Sequence, residues 1–316
     1  MFDFRDYGNG IYAFDSGYLR PLLAAIHLVV ANGRVAFVDS GTNASLSNAM
    51  AALDRLGLAP EAVDYVILTH IHLDHAGGAG AMMQAFPNAR LVVHPRGARH
   101  MAEPSKLIAG VIGVYGHDYV QRMYGEILPV AAERIIEATP ELGFSLAGRE
   151  FFCLDTPGHA RHHICIVDRQ TGGIFAGDMF GLAYPEMAVD GRHFIYPPTT
   201  PTQFEPGPMR QSLDLLMSHS PTAMYLTHYG RVGDVPRLRK DLQRHIDAQV
   251  RIALAERDAG EDRHVRIKSR FADYLLAEAK NFGCTLNEAE LLQLWEPDLE
   301  LNAQGLEVWL DSGAVQ

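Results

Sequence analysis

Three histidines and an aspartate fall in the six-residue stretch His70-Ile71-His72-Leu73-Asp74-His75, directly after the apolar run Tyr65-Val66-Ile67-Leu68. A strand that ends at Leu68 delivers all four polar side chains into one tight turn. Imidazole and carboxylate together suit zinc, iron or manganese. A chain built this way needs a sheet whose strand ends open onto ligand-bearing loops.

The same arrangement recurs along the sequence. Asp39 follows Ala36-Phe37-Val38. His159 follows the run 151–154 through Asp155-Thr156-Pro157-Gly158. Asp178 follows Ile174-Phe175-Ala176-Gly177, and His228 follows Met224-Tyr225-Leu226-Thr227. Strand ends that feed loops on one sheet edge bring such residues together across large sequence gaps. No Gly-x-Ser-x-Gly elbow, P-loop or dinucleotide fingerprint is present. Cys153 and Cys165 sit in apolar runs and Cys284 stands apart, so the pattern supplies no paired or nucleophilic thiol.

Residues 11–14 and 25–30 read as strands, and Asn32-Gly33 reads as a hairpin turn into a strand over 35–38. A helix is expected over 45–56, a strand over 63–68, a helix over 80–86 and a strand over 89–93. The order indicates layered sheet and helix. Residues 97–139 are helical in character and too long for a plain connection; lying between two ligand-bearing motifs, they are a candidate lid. Strands resume over 150–154, 164–167, 173–176 and 223–226. A helix is expected over 236–257, where Leu238, Leu242, Ile246, Val250 and Leu254 recur every fourth residue. Thr285 and Glu288 have capping-box spacing before a further helix. The expected organisation is a domain over 1–235, with 97–139 inserted, and a helical extension over 236–316.

Composition narrows the function classes. A formal net charge of −11 argues against nucleic acid as the main partner, because phosphate binding needs a dense basic surface. No run approaches the length of a membrane span. The start Met1-Phe2-Asp3-Phe4-Arg5-Asp6 lacks the apolar core of a secretory signal. The three cysteines fit a reducing cytoplasm. The oligomeric state is not written in the sequence.

The set Asp39, His70-x-His72-x-Asp74-His75, His159, Asp178 and His228 resembles the motif series of the metallo-β-lactamase superfamily. Thr156-Pro157-Gly158-His159 and Ala176-Gly177-Asp178 are similar to its glyoxalase II-like branch. The resemblance covers residues 39–230 and implies an αββα sandwich with a two-metal centre. It implies that His70, His72 and His159 hold one metal and Asp74, His75 and His228 the other. Asp178 would bridge them beside a water or hydroxide, and Asp39 would orient the histidine-rich loop. His163 matches a histidine that often follows the third motif, although His162 stands where the family usually has a small residue.

The expected activity is metal-dependent hydrolysis of a small-molecule ester, thioester or lactone, with Asp74 and Asp178 as the catalytic carboxylates. Two divalent ions are expected, zinc first, with iron or manganese also compatible. Tyr115, Tyr119, Arg161, Tyr184, Tyr196 and Tyr229 are candidate substrate contacts; Arg231 lies near them. Three other readings use the same residues: a phosphodiesterase or nuclease, an iron-dependent enzyme like the persulfide dioxygenases, and a non-enzymatic binding module.

Overall fold

The computed structural model describes residues 3–140 and 142–313. Met1 and Phe2, read above in the N-terminal segment, and 314–316, read as the end of the helical extension, lie outside the described residues. The chain folds as two compact units. The first is Met1–Asp155, His162–Gly177 and Ser220–Gly233; the second is Thr156–Arg161, Asp178–His219 and Asp234–Gln316.

The first unit holds both sheets. One runs in sequence order through β1 (Phe4–Asp6), β2 (Ile11–Asp15), β3 (Ala25–Ala31), β4 (Arg34–Val38), β5 (Val63–Ile67), β6 (Arg90–Val93) and β7 (Ile135–Glu137). The first four strands pair antiparallel, and β4 to β7 pair parallel. The turn between β3 and β4 is the expected Asn32-Gly33, with φ of 47° and 76°. The other sheet comprises β8 (Gly143–Leu146), β9 (Arg149–Asp155), β10 (Ile164–Asp168), β11 (Ile174–Gly177), β12 (Met224–Leu226) and β13 (Gly230–Val232). Only β11 and β12 are parallel within it.

Alternation along these strands builds two cores. Ile11, Val29, Ala36, Val38, Ile67 and Val92 of the first sheet pack against Phe151, Cys153, Ile164, Ile166, Phe175 and Tyr225 of the second. The opposite face of the first sheet, including Phe14, Leu28, Val35 and Phe37, is covered by helices. These are α1 (Leu46–Leu56), α2 (Leu73–Ala76), α3 (Ala79–Ala85) and α4 (Pro95–Ala102). Phe37 stacks flat on Phe86, just past α3, with centroids 5.2 Å apart. Burial of each such side chain contributes about 1.5–3 kcal/mol. The result is the layered α/β sandwich expected from the sequence, followed by C-terminal helices.

The segment 97–139 is helical through α4, α5 (Ser105–Tyr115) and α6 (His117–Tyr124), and then changes character. Its end forms β7, paired to β6, because Ile135 and Ile136 complete the edge of a parallel sheet. Strands β1, β7, β8 and β13 have three or four residues each, too few for periodicity to stand out in the sequence.

The second unit is built from α7 (Pro206–Ser218), α8 (Val235–Ala255), α9 (Arg263–Phe282) and α10 (Glu288–Asp311). Helix α9 buries every fourth residue, Ile267, Phe271, Leu275 and Ala279. The capping box before α10 is Asn287 with Glu290, each side chain taking the other's backbone N–H at 3.0 and 2.8 Å. The Thr285–Glu288 spacing is therefore not the one used: Asn287 is the residue in extended conformation directly before the first helical turn. Tyr184 and Tyr196 are buried here, and both hydroxyls donate to Asp298 Oδ2, at 2.9 and 2.7 Å.

Candidate metal centre

Strand β5 ends at Ile67, and the backbone turns through Thr69 into His70. Strand β4 ends at Val38 and delivers Asp39, whose N–H donates to Ile67 O at 2.7 Å. Parallel pairing of these two strands is what places Asp39 beside the histidine loop. Its φ of 62° is one that an L-residue adopts at a cost and that aspartate tolerates better than most.

The buried Asp39 carboxylate gathers four donors. Thr69 gives its N–H at 2.8 Å and its hydroxyl at 3.0 Å, Thr227 gives its hydroxyl at 2.7 Å, and His75 gives Nδ1–H at 2.9 Å. Donation from Nδ1 makes Nε2 the nitrogen of His75 that faces Asp74. His228 is fixed the same way, with Nδ1–H donating to Leu23 O at 2.8 Å. Those two Nε2 atoms lie 3.5 and 3.3 Å from Asp74 Oδ2. The Asp74, His75 and His228 ligand atoms all lie within 4.8 Å of one another.

His70 is oriented through Thr69. Its Nδ1 lies 3.1 Å from a hydroxyl whose own hydrogen goes to Asp39, so Nδ1 is the donor of that pair. Nε2 of His70 faces Nδ1 of His72 at 2.9 Å. Two convergent imidazole nitrogens and a carboxylate-linked donor chain make a donor set that suits a divalent ion.

His162 and His163 surround His70. His163 is fully buried and stacks on His70 with centroids 5.0 Å apart, and His162 lies parallel at 6.2 Å. This contact requires Gly177: a Cβ there would lie 2.6 Å from Thr69 Oγ1 and 2.8 Å from His163 Nε2, at a φ of 49°. Thr69 and Thr227, which hold Asp39, were not among the residues expected at the site. Their signal was position, since each directly precedes a candidate ligand histidine at a strand end.

In the second unit, His159 and Asp178 are neighbours, with Nε2 3.5 Å from Oδ2, and both are buried. The loop bearing His159 is pinned by Ser212 Oγ donating to Pro157 O at 2.6 Å and by Glu205 N–H donating to Gly158 O at 2.8 Å. Arg161, the nearby candidate contact, forks onto Glu205 at 3.0 and 3.1 Å.

Among the other candidate contacts, Tyr229 is buried, its hydroxyl bonded to Asp3 and the Arg5 guanidinium 4.5 Å above its ring. Tyr184 and Tyr196 are committed to Asp298, as described. Tyr115 and Tyr119 are half-buried and stack on each other at 5.2 Å. Among the described residues, no helix is long and apolar enough to cross a membrane.

Known proteins resemble this chain in sequence and in fold. The chain is 25% identical over 229 residues to a metallo-beta-lactamase fold-containing protein of Sulfurisphaera tokodaii, covering 71% of this chain and 80% of that one. It is 32% identical over 176 residues to a hydroxyacylglutathione hydrolase of Xanthomonas euvesicatoria, 55% of this chain but only about half, 51%, of the relative. Among solved structures, a metallo-beta-lactamase family protein from Thermus thermophilus superposes with a TM-score of 0.68 at 20% identity, over 97% of this chain and 95% of that one. A chemotaxis sensor captured as a peroxy diiron species superposes with a TM-score of 0.56 at 13% identity, over 77% and 94%. Residues 19–228 match the metallo-beta-lactamase superfamily, a span that contains every one of the motif residues from Asp39 to His228, and this chain belongs to that superfamily.

Proposed function

We propose that this chain is a dinuclear metal-dependent hydrolase of a small-molecule ester, thioester or lactone. The observation that carries the reading is the tautomer locking at the site. His75 and His228 each spend Nδ1–H on a fixed acceptor and turn Nε2 toward the Asp74 carboxylate. Histidines held through Nδ1 in this way present Nε2 to a metal ion, whereas surface histidines have no reason for such orientation.

In this reading His70, His72 and His159 would hold one ion, Asp74, His75 and His228 would hold the other, and Asp178 would serve both. When bound, such a pair of ions supplies a water made nucleophilic near neutral pH. Asp39 keeps the imidazoles in the coordinating tautomer. Asp74 keeps part of its side chain open to solvent, 22%, which supports a role for it in passing a proton toward the leaving group. The similarity to a protein named as a hydroxyacylglutathione hydrolase supports an acyl substrate.

Metal identity has a second reading. All the donors are nitrogen and oxygen, a set that suits iron as well as zinc, and the diiron chemotaxis sensor has this fold. Metal analysis of the purified protein, beside turnover of a thioester, a lactone, a β-lactam and bis-p-nitrophenyl phosphate, tests both. Two zinc ions with ester-class turnover is the expected result. Iron with no hydrolysis of any of the four would overturn the hydrolase reading.

A further inference from the structure

A cavity of about 340 Å³ opens beside α8 and α9, and every residue lining it lies in the second unit. Its size falls at the small end of ligand sites, which run from about 300 to 1,000 Å³. None of its lining residues belongs to the metal-binding set or to the substrate contacts expected from the sequence. Rings and guanidinium groups share the lining. Phe194 meets Phe282 edge-on at 5.5 Å and His245 at 5.7 Å, and Ile195 lines the same space. Phe194 and Ile195 are buried, and Phe282, at the end of α9, is half-buried.

Two of the three guanidinium groups are already paired. Arg237 donates to Asp234 at 2.8 Å, to Asp241 at 2.7 Å and to His193 O at 3.2 Å. Arg244 donates to Asp241 at 2.6 Å and to Glu278 at 2.8 and 3.0 Å. Arg192 differs. It is exposed, lies 4.9 Å over the Phe282 ring, and approaches Phe282 O at 3.5 Å, but no carboxylate pairs with it among the described residues. Its place is set by the turn Asp190-Gly191, with φ of 50° and 74°, across which Arg192 and Val189 exchange backbone hydrogen bonds at 2.9 and 3.0 Å. His245 adds no second charge. Burial pushes its pKa down to about 3, and its Nδ1 is bonded to the Tyr274 hydroxyl at 2.9 Å, so the ring is neutral. The cavity therefore offers one unpaired positive charge beside aromatic rings.

We propose that this cavity binds a small aromatic monocarboxylate. The carboxylate lies on the Arg192 guanidinium, whose planar fork matches two carboxylate oxygens, and the ring lies against Phe194 and Phe282. A monoanion suits the single unpaired guanidinium. A dianion such as phosphate would leave one charge unmatched beside Asp241 and Glu278, which line the same space. Arg192 and Phe282 are 90 positions apart, so nothing local in the sequence marks the site. The binding does not depend on the hydrolase reading above, and its test needs no turnover.

Calorimetric titration of the metal-loaded full chain with benzoate, neutral benzamide and cyclohexanecarboxylate tests it. Benzoate is expected to bind with a Kd of roughly 0.1–1 mM, the range for a ligand of this size. Benzamide, which lacks the charge, is expected to bind at least about tenfold more weakly. Cyclohexanecarboxylate, which lacks the flat face, is expected to bind about fivefold more weakly. Arg192→Gln is expected to weaken benzoate about tenfold with Tm unchanged, because the exposed side chain takes part in no ion pair that the fold would lose. A carboxylate held by a metal ion instead would bind the variant as tightly as the wild type, and that result overturns the proposal. So do equal affinities for benzoate and benzamide, or no benzoate binding up to about 10 mM. Equal affinities for benzoate and cyclohexanecarboxylate overturn the aromatic assignment. Crystals soaked in 4-bromobenzoate locate the ligand directly. Anomalous signal from bromine beside Phe282 is the expected result, and signal at the candidate metal centre alone overturns the site.

Discussion

Asp39 and His75 are joined through a 2.9 Å hydrogen bond from Nδ1–H to a buried carboxylate, although β4 and β5 carry them to the site from different parts of the chain. The bond fixes which imidazole nitrogen faces Asp74. Asp39→Asn keeps the shape of the carboxylate and removes its charge, and its amide cannot accept from all four donors. Metal affinity should fall about 10–100-fold while the fold persists. Competition with a chromophoric chelator measures it; an unchanged affinity would show that Asp39 serves packing alone.

His228→Ala should lower metal content from about two ions per chain to about one, because it removes a ligand from one ion only. His70→Ala should remove the other. Elemental analysis after dialysis reads both. A stoichiometry near one in the wild type, unaltered by His228→Ala, contradicts the assignment.

Asp178→Asn should cut turnover about 100-fold or more while circular dichroism and Tm stay close to wild type. The side chain is buried beside His159, and the amide has nearly the same volume. Near-normal activity in this variant would remove Asp178 from the bridging position.

Stability should fall with acid in a way that traces to His27. Burial pushes its pKa down from 6.5 to about 4, with the charge of Asp39 opposing the shift. Its ring sits among Tyr7, Phe175 and Tyr225, with Nε2 buried and lacking a hydrogen-bond partner. The unfolded chain therefore binds a proton that the folded chain refuses. The stability present above pH about 6.5 is lost progressively down to about 4, amounting to about 3 kcal/mol. His27→Leu should flatten that part of the profile in urea melts between pH 7 and 4.5. An identical slope in the variant would assign the loss to other groups.

Gly305→Ala should destabilise the C-terminal helices by about 2–3 kcal/mol. A Cβ at this position in α10 would fall 1.5 Å from Thr199 O, and Thr199 is itself bonded through its N–H and hydroxyl to Asn302 on the same helix. Thermal unfolding measures the effect. A Tm within a degree or two of wild type would mean that the loop at Thr199 yields freely.

The sequence by itself determined the strand-to-loop placement of Asp39, His70, His72, Asp74, His75, His159, Asp178 and His228, because each follows an apolar run whose end is a local property. It also determined the long C-terminal helices, whose buried residues recur every fourth position. The hairpin at Asn32-Gly33 was legible for the same local reason. Helix α7 was not, since Pro206-Gly207-Pro208 masks the spacing of Met209, Leu213 and Leu216. The strand ending in Glu137 was hidden too, because its only reason to be extended is the neighbouring β6. Tertiary structure alone decided which tyrosines are engaged. Tyr184 and Tyr196 lie near the motif loops in sequence yet point their hydroxyls at Asp298, more than a hundred positions away. Tyr18 and Tyr124, whose hydroxyls lie 2.7 Å apart, meet for an equally non-local reason. Hydrogen-bond partners and ring stacks depend on through-space distance, which the sheet order sets and residue spacing does not encode.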